Sequence, residues 1–448
     1  MRKFYILFFA LNLLLSFYFV DTWNNANTTS RALPIIAYFE QGNFQIDKYH
    51  ELTQDKAHIK EHYYTDKAPL PTLVTLPFFG LIKKLGRVNT ADGELLGPEV
   101  YILGSLICGS LIFSLILLLS LKNVIKQNTS LQAVFLVMMP FYGSFIFVYS
   151  GTFYAHIMSA FFVLLGYLMI KRRKFFWTGI FTGLAFLSEY TVALFFPVWA
   201  LQIWIQQKSF FKGFKFGLGT LPAIIFIGIY NYIFTGSPFE MLYKYHTYEF
   251  LHENYGFILP SFTSIWGLTF SNYKGLFFYA PILLLSIFMI FKTQSVKSIR
   301  KHYLTWISII FFIFIASYNV WWGGWCYGPR LLFPIVVLLV FEGIIQLSKT
   351  KFSKSLFWIL TGFGLLGAFL AKITVVYSIP SEATNPFIDT IFPNIKLANF
   401  NPNNLGSMIF GIDPLISATV WLVLFFVSGI LLNKYYIKVK TTKSETVL

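Results

Sequence analysis

The chain has 448 residues, of which 56% are hydrophobic and only 12% charged, about half the charge of an ordinary soluble domain. That excludes a water-soluble fold, and an aromatic content of 20% excludes a disordered chain. Two cysteines are too few for a disulfide scaffold or a Cys-rich metal cluster. What remains is an all-α, polytopic membrane protein, in which the net charge of +16 matters through its distribution among loops and gives no reason to expect a nucleic-acid partner.

A crossing helix needs roughly 20 mostly apolar residues. The first run, residues 4–20, follows Arg2 and Lys3; Phe17, Tyr18, Phe19 and Val20 offer no small-residue cleavage site, so an uncleaved span is expected in place of a signal peptide. The next run covers residues 98–122. Residues 127–170 hold 44 positions without Asp, Glu, Lys or Arg, room for two spans with a hairpin near Ser150 and Gly151 before Lys171, Arg172, Arg173 and Lys174. Residues 175–207 are broken only by Glu189 and are short for two crossings, so tilted, broken or re-entrant helices are expected. Further runs lie at residues 216–234, 275–291, 303–320, 331–347, 355–376 and 414–433. The pattern predicts one membrane domain, 1–448, of about twelve spans with both termini on one side.

With this assignment 22 of the 35 Lys and Arg fall on the terminal side, whereas every acid except Glu342 and Glu445 falls on the other. The positive-inside bias makes the termini cytoplasmic. The long loops, 21–97, 235–274 and 378–413, are then external, and the working face with them.

The first loop, 21–97, gathers nine acids and eight bases, more than a connector needs. Residues 30–39 read as a short helix, followed by Asp47, Asp55, Lys56, His58, His62, Asp66 and Lys67. Pro69, Pro71 and Pro77 then punctuate an apolar stretch, 70–85, expected to lie on the membrane surface because a further crossing would invert the downstream charge balance. Acids at this height suit activation of a hydroxyl, and cations suit an anionic group such as phosphate; for any single acid, a structural ion pair is the commoner role. Asp66 and Lys67 form the leading pair, placed directly before the return to the membrane. His58 and His62, four residues apart, would share a helix face with Asp55, Glu61 and Asp66 near. That spacing admits a divalent metal held by His58, His62 and Asp66, against the commoner reading of two interfacial histidines.

Elsewhere, Trp321, Trp322, Trp325 and Tyr327 share an outer loop with three glycines, suited to stacking on a sugar or to an interfacial aromatic belt. Arg330 opens a span beside a glycine-proline turn, where it would meet a phosphate or snorkel. Glu189 is an acid inside the membrane and so by default functional or paired. Lys372 is expected to snorkel, and Glu342 to lie toward the cytoplasmic half. His246, Glu249, His252 and Glu253 suit either the acceptor side or a hydrated loop helix. Cys108 and Cys326 lie at different depths and read as packing residues.

The segments Asn27-Thr-Thr-Ser-Arg31, Gly42, Ile46-Asp47, Thr53-Gln-Asp-Lys-Ala57 and His62-Tyr-Tyr-Thr-Asp-Lys-Ala-Pro69 resemble the first periplasmic loop of bacterial GT-C membrane glycosyltransferases. The nearest likeness is to the family 39-like group that includes protein O-mannosyltransferases, the aminoarabinose transferase acting on lipid A, and Rgt-type lipopolysaccharide core transferases. Looser likeness extends to Gly236-Ser-Pro-Phe239, Tyr273-Lys-Gly-Leu-Phe-Phe-Tyr279 and Trp322-Gly-Gly-Trp-Cys-Tyr-Gly-Pro-Arg330.

The resemblance implies a GT-C fold in a bacterial inner membrane, a periplasmic active face, and inverting transfer from a polyprenyl-phosphate sugar to a lipid, glycan or protein acceptor. It also implies an acid of the first loop as base. Asn27 stands where many relatives carry that acid, which leaves Asp66, with Asp55 and Asp47 behind it. Lys67, Arg330 and Arg31 would contact the donor phosphate, and His62, Tyr63, Trp322, Trp325, Tyr327 and Glu189 would line the substrate. No cofactor is implied beyond a possible divalent metal. A secondary transporter or lipid-linked-sugar flippase is the competing reading; it predicts paired halves and midplane charges, whereas no internal repeat is visible and the charges gather in one outer loop.

Overall fold

The computed structural model describes residues 1–22, 25–86, 97–127, 132–248 and 254–445; the expectations for Glu249, His252 and Glu253 lie outside the described residues. Among the described residues, fourteen helices of ten residues or more carry the fold: α1 (Arg2–Phe17), α2 (Ala26–Gln41), α3 (Leu70–Lys84), α4 (Pro98–Val124), α5 (Ala133–Tyr142), α6 (His156–Lys171), α7 (Phe175–Ser188), α8 (Phe195–Gln207), α9 (Phe210–Thr235), α10 (Ile282–Thr293), α11 (Tyr303–Ala316), α12 (Phe333–Lys349), α13 (Lys354–Thr374) and α14 (Pro414–Glu445). The chain is a polytopic helical membrane protein. Five stretches, Pro98–Val124, Phe210–Thr235, Arg330–Lys349, Lys354–Thr374 and Pro414–Thr441, are long and apolar enough to cross a membrane. Among the described residues the other apolar runs fold as shorter helices, so length and composition identify five crossings and do not test the expected count of about twelve.

Breaks in the chain set the lengths of several of these shorter helices. α5 stops before Gly143 and Ser144, where the chain turns. α7 ends at Glu189, whose extended backbone leads into a 3₁₀ turn, Tyr190–Leu194, before α8; this is the broken arrangement expected of residues 175–207.

The centre of the bundle is α12, whose residues are almost all buried against α4, α5, α6, α10 and α11. α6, α7 and α9 pack as a row. α7 and α9 touch at Gly179 and Gly219: a Cβ on Gly179 would lie 2.1 Å from the Phe216 carbonyl, and one on Gly219 2.0 Å from that of Phe176, the close backbone approach that small residues permit between membrane helices. The outward face of α9 exposes Leu221, Ile225, Ile229 and Ile233, and that of α14 exposes Ile416, Val423 and Leu431. Such apolar surfaces fit a hydrocarbon surround.

The first loop is a folded layer. α2 starts at Asn25, whose side chain accepts from the Asn27 and Thr28 amides, and stops at Gly42 in the left-handed region. Both ends are therefore capped by residues suited to the job. From Thr28 to Ala37 the helix is buried, its apolar side chains meeting Phe79 of α3 and Val100, Tyr101 and Cys108 of α4. α3 covers residues expected to form a surface helix and leaves Phe78 and Leu81 exposed, as is Leu85 just after it. Between α2 and α3 lies a feature the all-α expectation lacked, an antiparallel hairpin of β1 (Lys56–Ile59) and β2 (His62–Thr65), in register Lys56↔Thr65 and Ile59↔His62. It corrects the idea that His58 and His62 share a helix face, because β-branched and aromatic residues at 63–65 favour a strand.

One buried position differs from expectation. Lys372 does not snorkel: it is fully buried with its ammonium 5.5 Å from the Phe147 ring. The hairpin at Ser150 and Gly151 is also buried, its Gly151 carbonyl accepting from the Asp21 amide at 2.8 Å. Gly151 has φ +85, and a Cβ there would lie 2.3 Å from the Phe19 carbonyl, so both backbone conformation and space demand glycine. Gly151→Ala should therefore lower stability by at least about 1–3 kcal/mol, read as a fall in the thermal midpoint of the detergent-solubilised protein; an unchanged midpoint would contradict the packing described.

Candidate functional site

The hairpin register builds the site. Because Lys56 pairs with Thr65, the next residues on each strand, Asp55 and Asp66, leave the open end of the hairpin side by side. The Lys67 ammonium joins them, 2.9 Å from Asp55 Oδ2 and 2.8 Å from Asp66 Oδ2. Asp66 is closed in further: Ser30 of α2 donates to its Oδ1 at 3.3 Å, and His246 Nε2 lies 3.5 Å from its Oδ2. An isolated bridge between Ala57 and His246 sews the second long loop to the hairpin and brings that histidine in.

Burial and charge compete strongly here. Burial alone would raise the Asp55 carboxyl, but the charge and hydrogen bond of Lys67, with His246 and Arg330 adding to them, hold the acid below its ordinary value. Burial likewise pulls Lys67 down, and the paired carboxylates Asp55 and Asp66 overcome it, leaving the ammonium above its ordinary value. Arg31 is lowered by burial, with Asp66, Glu189 and Asp55 opposing.

Two arginines border this triad. Arg31, one turn into α2, donates through Nη1 to the Asn27 side-chain oxygen at 2.9 Å and to the Asn27 carbonyl at 3.1 Å. Arg330, after the Gly328-Pro329 turn, places its guanidinium 5.3 Å from the Tyr154 ring centre, and its charge bears on Asp55. The buried Arg31 Nε and the buried Nε and Nη1 of Arg330 have no hydrogen-bond partner among the described residues.

Glu189, whose charge acts on Arg31, finds the partner that sequence did not give it. Its Oε1 lies 3.1 Å from His156 Nδ1, and Ser159 donates to its Oε2 at 2.7 Å. His156 and Ser159 lie in the first turn of α6 and Glu189 at the break after α7, so the helix break is what delivers the acid. His156 was missed in the sequence; the available signal was a lone histidine in the acid- and base-free run of residues 127–170.

Six expected site residues therefore come together: Asp66, Asp55, Lys67, Arg31, Arg330 and Glu189. Others do not. Asp47 accepts from the Tyr63 amide at 2.6 Å and pairs with His62 at 2.7 Å, so both serve the hairpin away from the triad. Tyr63 is stacked between His50 and His58, at 3.9 and 4.5 Å. Tyr327 is buried, bonded through its backbone to the Tyr149 hydroxyl and edge-on to Tyr279, and offers no ring to a sugar. Trp322 is half-buried and edge-on to Trp321, while Trp325 is exposed. The metal expectation is also corrected: His58, His62 and Asp66 point to different partners, and no group of three or more His, Cys, Asp or Glu suited to a metal exists among the described residues.

Beside the cluster an apolar cavity of about 250 Å³ runs between the first loop and α9, lined by Pro34, Thr65, Thr72, Phe226, Tyr230 and Phe234. Thr65 borders it and precedes Asp66, so the greasy cavity and the ionic cluster adjoin.

No family model matches the chain, and no curated protein matches it. Among solved structures, ArnT from Cupriavidus metallidurans bound to undecaprenyl phosphate is similar at 14% identity, over 96% of this chain and 76% of that chain, with a TM-score of 0.48. Likeness at that level assigns no family.

Removing one member of a buried ionic group strands the others, at a cost of about 3–5 kcal/mol. Lys67→Met should lower the thermal midpoint accordingly, while Lys48→Met, which removes the exposed partner of Glu40, should leave it nearly unchanged. The Asp55 carboxyl is depressed in the folded state, so its stabilisation is complete above the unfolded value of about 3.9 and is lost as pH falls through the folded value. Asp55→Asn should thus cost stability at neutral pH and progressively less below about pH 4, as followed by midpoint against pH.

Proposed function

We propose that the chain is a membrane glycosyltransferase of GT-C type that transfers a sugar, with inversion, from a polyprenyl-phosphate donor to a lipid, glycan or protein acceptor at the external face of a bacterial inner membrane. The observation that carries this reading is the set of buried guanidinium N–H groups of Arg31 and Arg330 without acceptors. A buried donor left unpaired costs about 1–3 kcal/mol, and guanidinium forks match phosphate oxygens in geometry and charge. Phosphate oxygens bound there would satisfy them and receive charge as the bond to the sugar breaks.

The remaining parts fit the same substrate. The apolar cavity beside Thr65 suits the first isoprenoid units, which keeps the lipid in the hydrocarbon while its phosphate meets the arginines. Asp55 and Asp66 clamp Lys67, and the three groups set the field around the phosphate without adding net positive charge beyond the arginines. The loop resemblance, centred on Asp66-Lys67 before a proline, supports the same donor. A flippase would share the binding features and omit the chemistry.

The test uses membranes containing the parent, with labelled polyprenyl-phosphate sugars and extracted acceptors. Transfer should be measurable, and Arg330→Ala should reduce it about 10²–10³-fold while weakening binding of undecaprenyl phosphate. Asp66→Asn and Lys67→Ala should also reduce transfer, with correct folding checked by donor binding. Movement of the lipid sugar across the bilayer with no transfer to any acceptor would favour the flippase instead.

A further inference from the structure

The transfer needs a group to take the proton of the attacking hydroxyl, and the first-loop acids are poorly free to do so. Asp55 and Asp66 share one ammonium at 2.9 and 2.8 Å, so an oxygen of each carboxylate is already taken by a donor. Asn27, at the position where the resemblance expects an acid, is an amide that accepts from Arg31.

A different group has the required arrangement. His156 is 5% exposed and lies between the rings of Tyr154 and Phe333, at 5.5 and 5.6 Å and nearly parallel to both. Those contacts fix its plane. Glu189 can only accept, so the 3.1 Å contact assigns the hydrogen to Nδ1. Ser159 holds the other carboxylate oxygen at 2.7 Å. In the neutral ring this leaves the lone pair on Nε2, which is buried and has no partner among the described residues. A base oriented by a carboxylate that is itself oriented by a hydroxyl follows the general logic of an activated acid–base pair.

Its position matches the proposed phosphate site. The Tyr154 ring that stacks on His156 is the ring that carries the Arg330 guanidinium at 5.3 Å, and the charges of Arg330 and Arg31 both act on the imidazole.

Resting on the glycosyltransferase reading above, we infer that His156, positioned by Glu189, is the general base that deprotonates the acceptor hydroxyl. The hydroxyl proton passes to Nε2 as its oxygen bonds to the anomeric carbon of the sugar. The bond from that carbon to the phosphate oxygen breaks, and the electron pair leaves with the polyprenyl phosphate held by Arg31 and Arg330. Glu189 offsets the imidazolium formed, and the proton then passes to the departing phosphate or to water.

The experiment compares transfer from undecaprenyl-phosphate sugar by parent, His156→Asn, Glu189→Gln and Asp66→Asn, each as the full chain. Binding of undecaprenyl phosphate to each variant serves as the check on folding. His156→Asn should lose about 10²–10⁴-fold in kcat with donor KM within about threefold, and should lose the acid limb of the kcat/KM profile. The charged groups facing the ring are Glu189 from the α7 break, Arg31 from α2 and Arg330 from the turn before α12, with the Tyr149 and Tyr154 hydroxyls nearby. Removing the one anion among them in Glu189→Gln should move the acid limb to lower pH, a shift that a merely structural Glu189 would not cause. Donor binding with parental kcat in His156→Asn would overturn the assignment, as would an acid limb that disappears in Asp66→Asn and survives in His156→Asn. Should His156→Asn fail to bind donor, an unmoved acid limb in Glu189→Gln would overturn it. A parent that binds donor and transfers nothing would overturn the glycosyltransferase reading itself.

Discussion

A lysine held between two buried carboxylates is the constraint around which the outer layer is organised. Lys67 meets Asp55 and Asp66 because a four-residue strand pairing sets them side by side, and each ion is too costly to bury alone. The hairpin, the second long loop through His246 and the α2 helix through Ser30 all converge on Asp66. Displacing any of these would leave a charge uncompensated in a largely dry place. The apolar cluster of α2, α3 and α4 then gives this layer a core of its own above the bundle.

The bundle contributes interruptions. A continuous helix satisfies its own backbone and delivers side chains only along its length. Here α7 breaks at Glu189, a turn precedes α12 at Arg330, and α6 begins at His156. These three element ends carry ionisable groups to the level of the first loop. The same breaks keep several apolar helices short and bring polar groups together, with buried turns such as that at Gly151 closing the gaps.

The ionic groups fall into three sets, the Asp55–Lys67–Asp66 triad, the arginines Arg31 and Arg330, and the Glu189–His156 pair. In the triad two carboxylates share one ammonium, and in the pair the Glu189 carboxylate accepts from the imidazole. The arginines retain donors without acceptors, so anion binding falls to them, and the imidazole retains a lone pair, so proton uptake falls to it. This division follows from hydrogen-bond accounting in a buried site.

Composition and hydropathy by themselves determined the membrane class, the position of each apolar run and the burst of charge in the first loop, because burial in hydrocarbon leaves a strong one-dimensional signal. Local signals also placed α2 and the pairing of Asp66 with Lys67. Tertiary structure decided the rest. The hairpin was invisible because its strands are four residues long and stand among residues equally at home in a loop, and with it went the separation of Asp47, His58 and His62 from the site. Tyr327 was legible as an aromatic but not as a buried one. Glu189 gained His156 and Ser159 from a different helix, roughly thirty positions earlier in the chain, and Arg330 gained Tyr154 in the same way. Contacts of that range depend on how helices pack and where they break, and no spacing within a single segment records them.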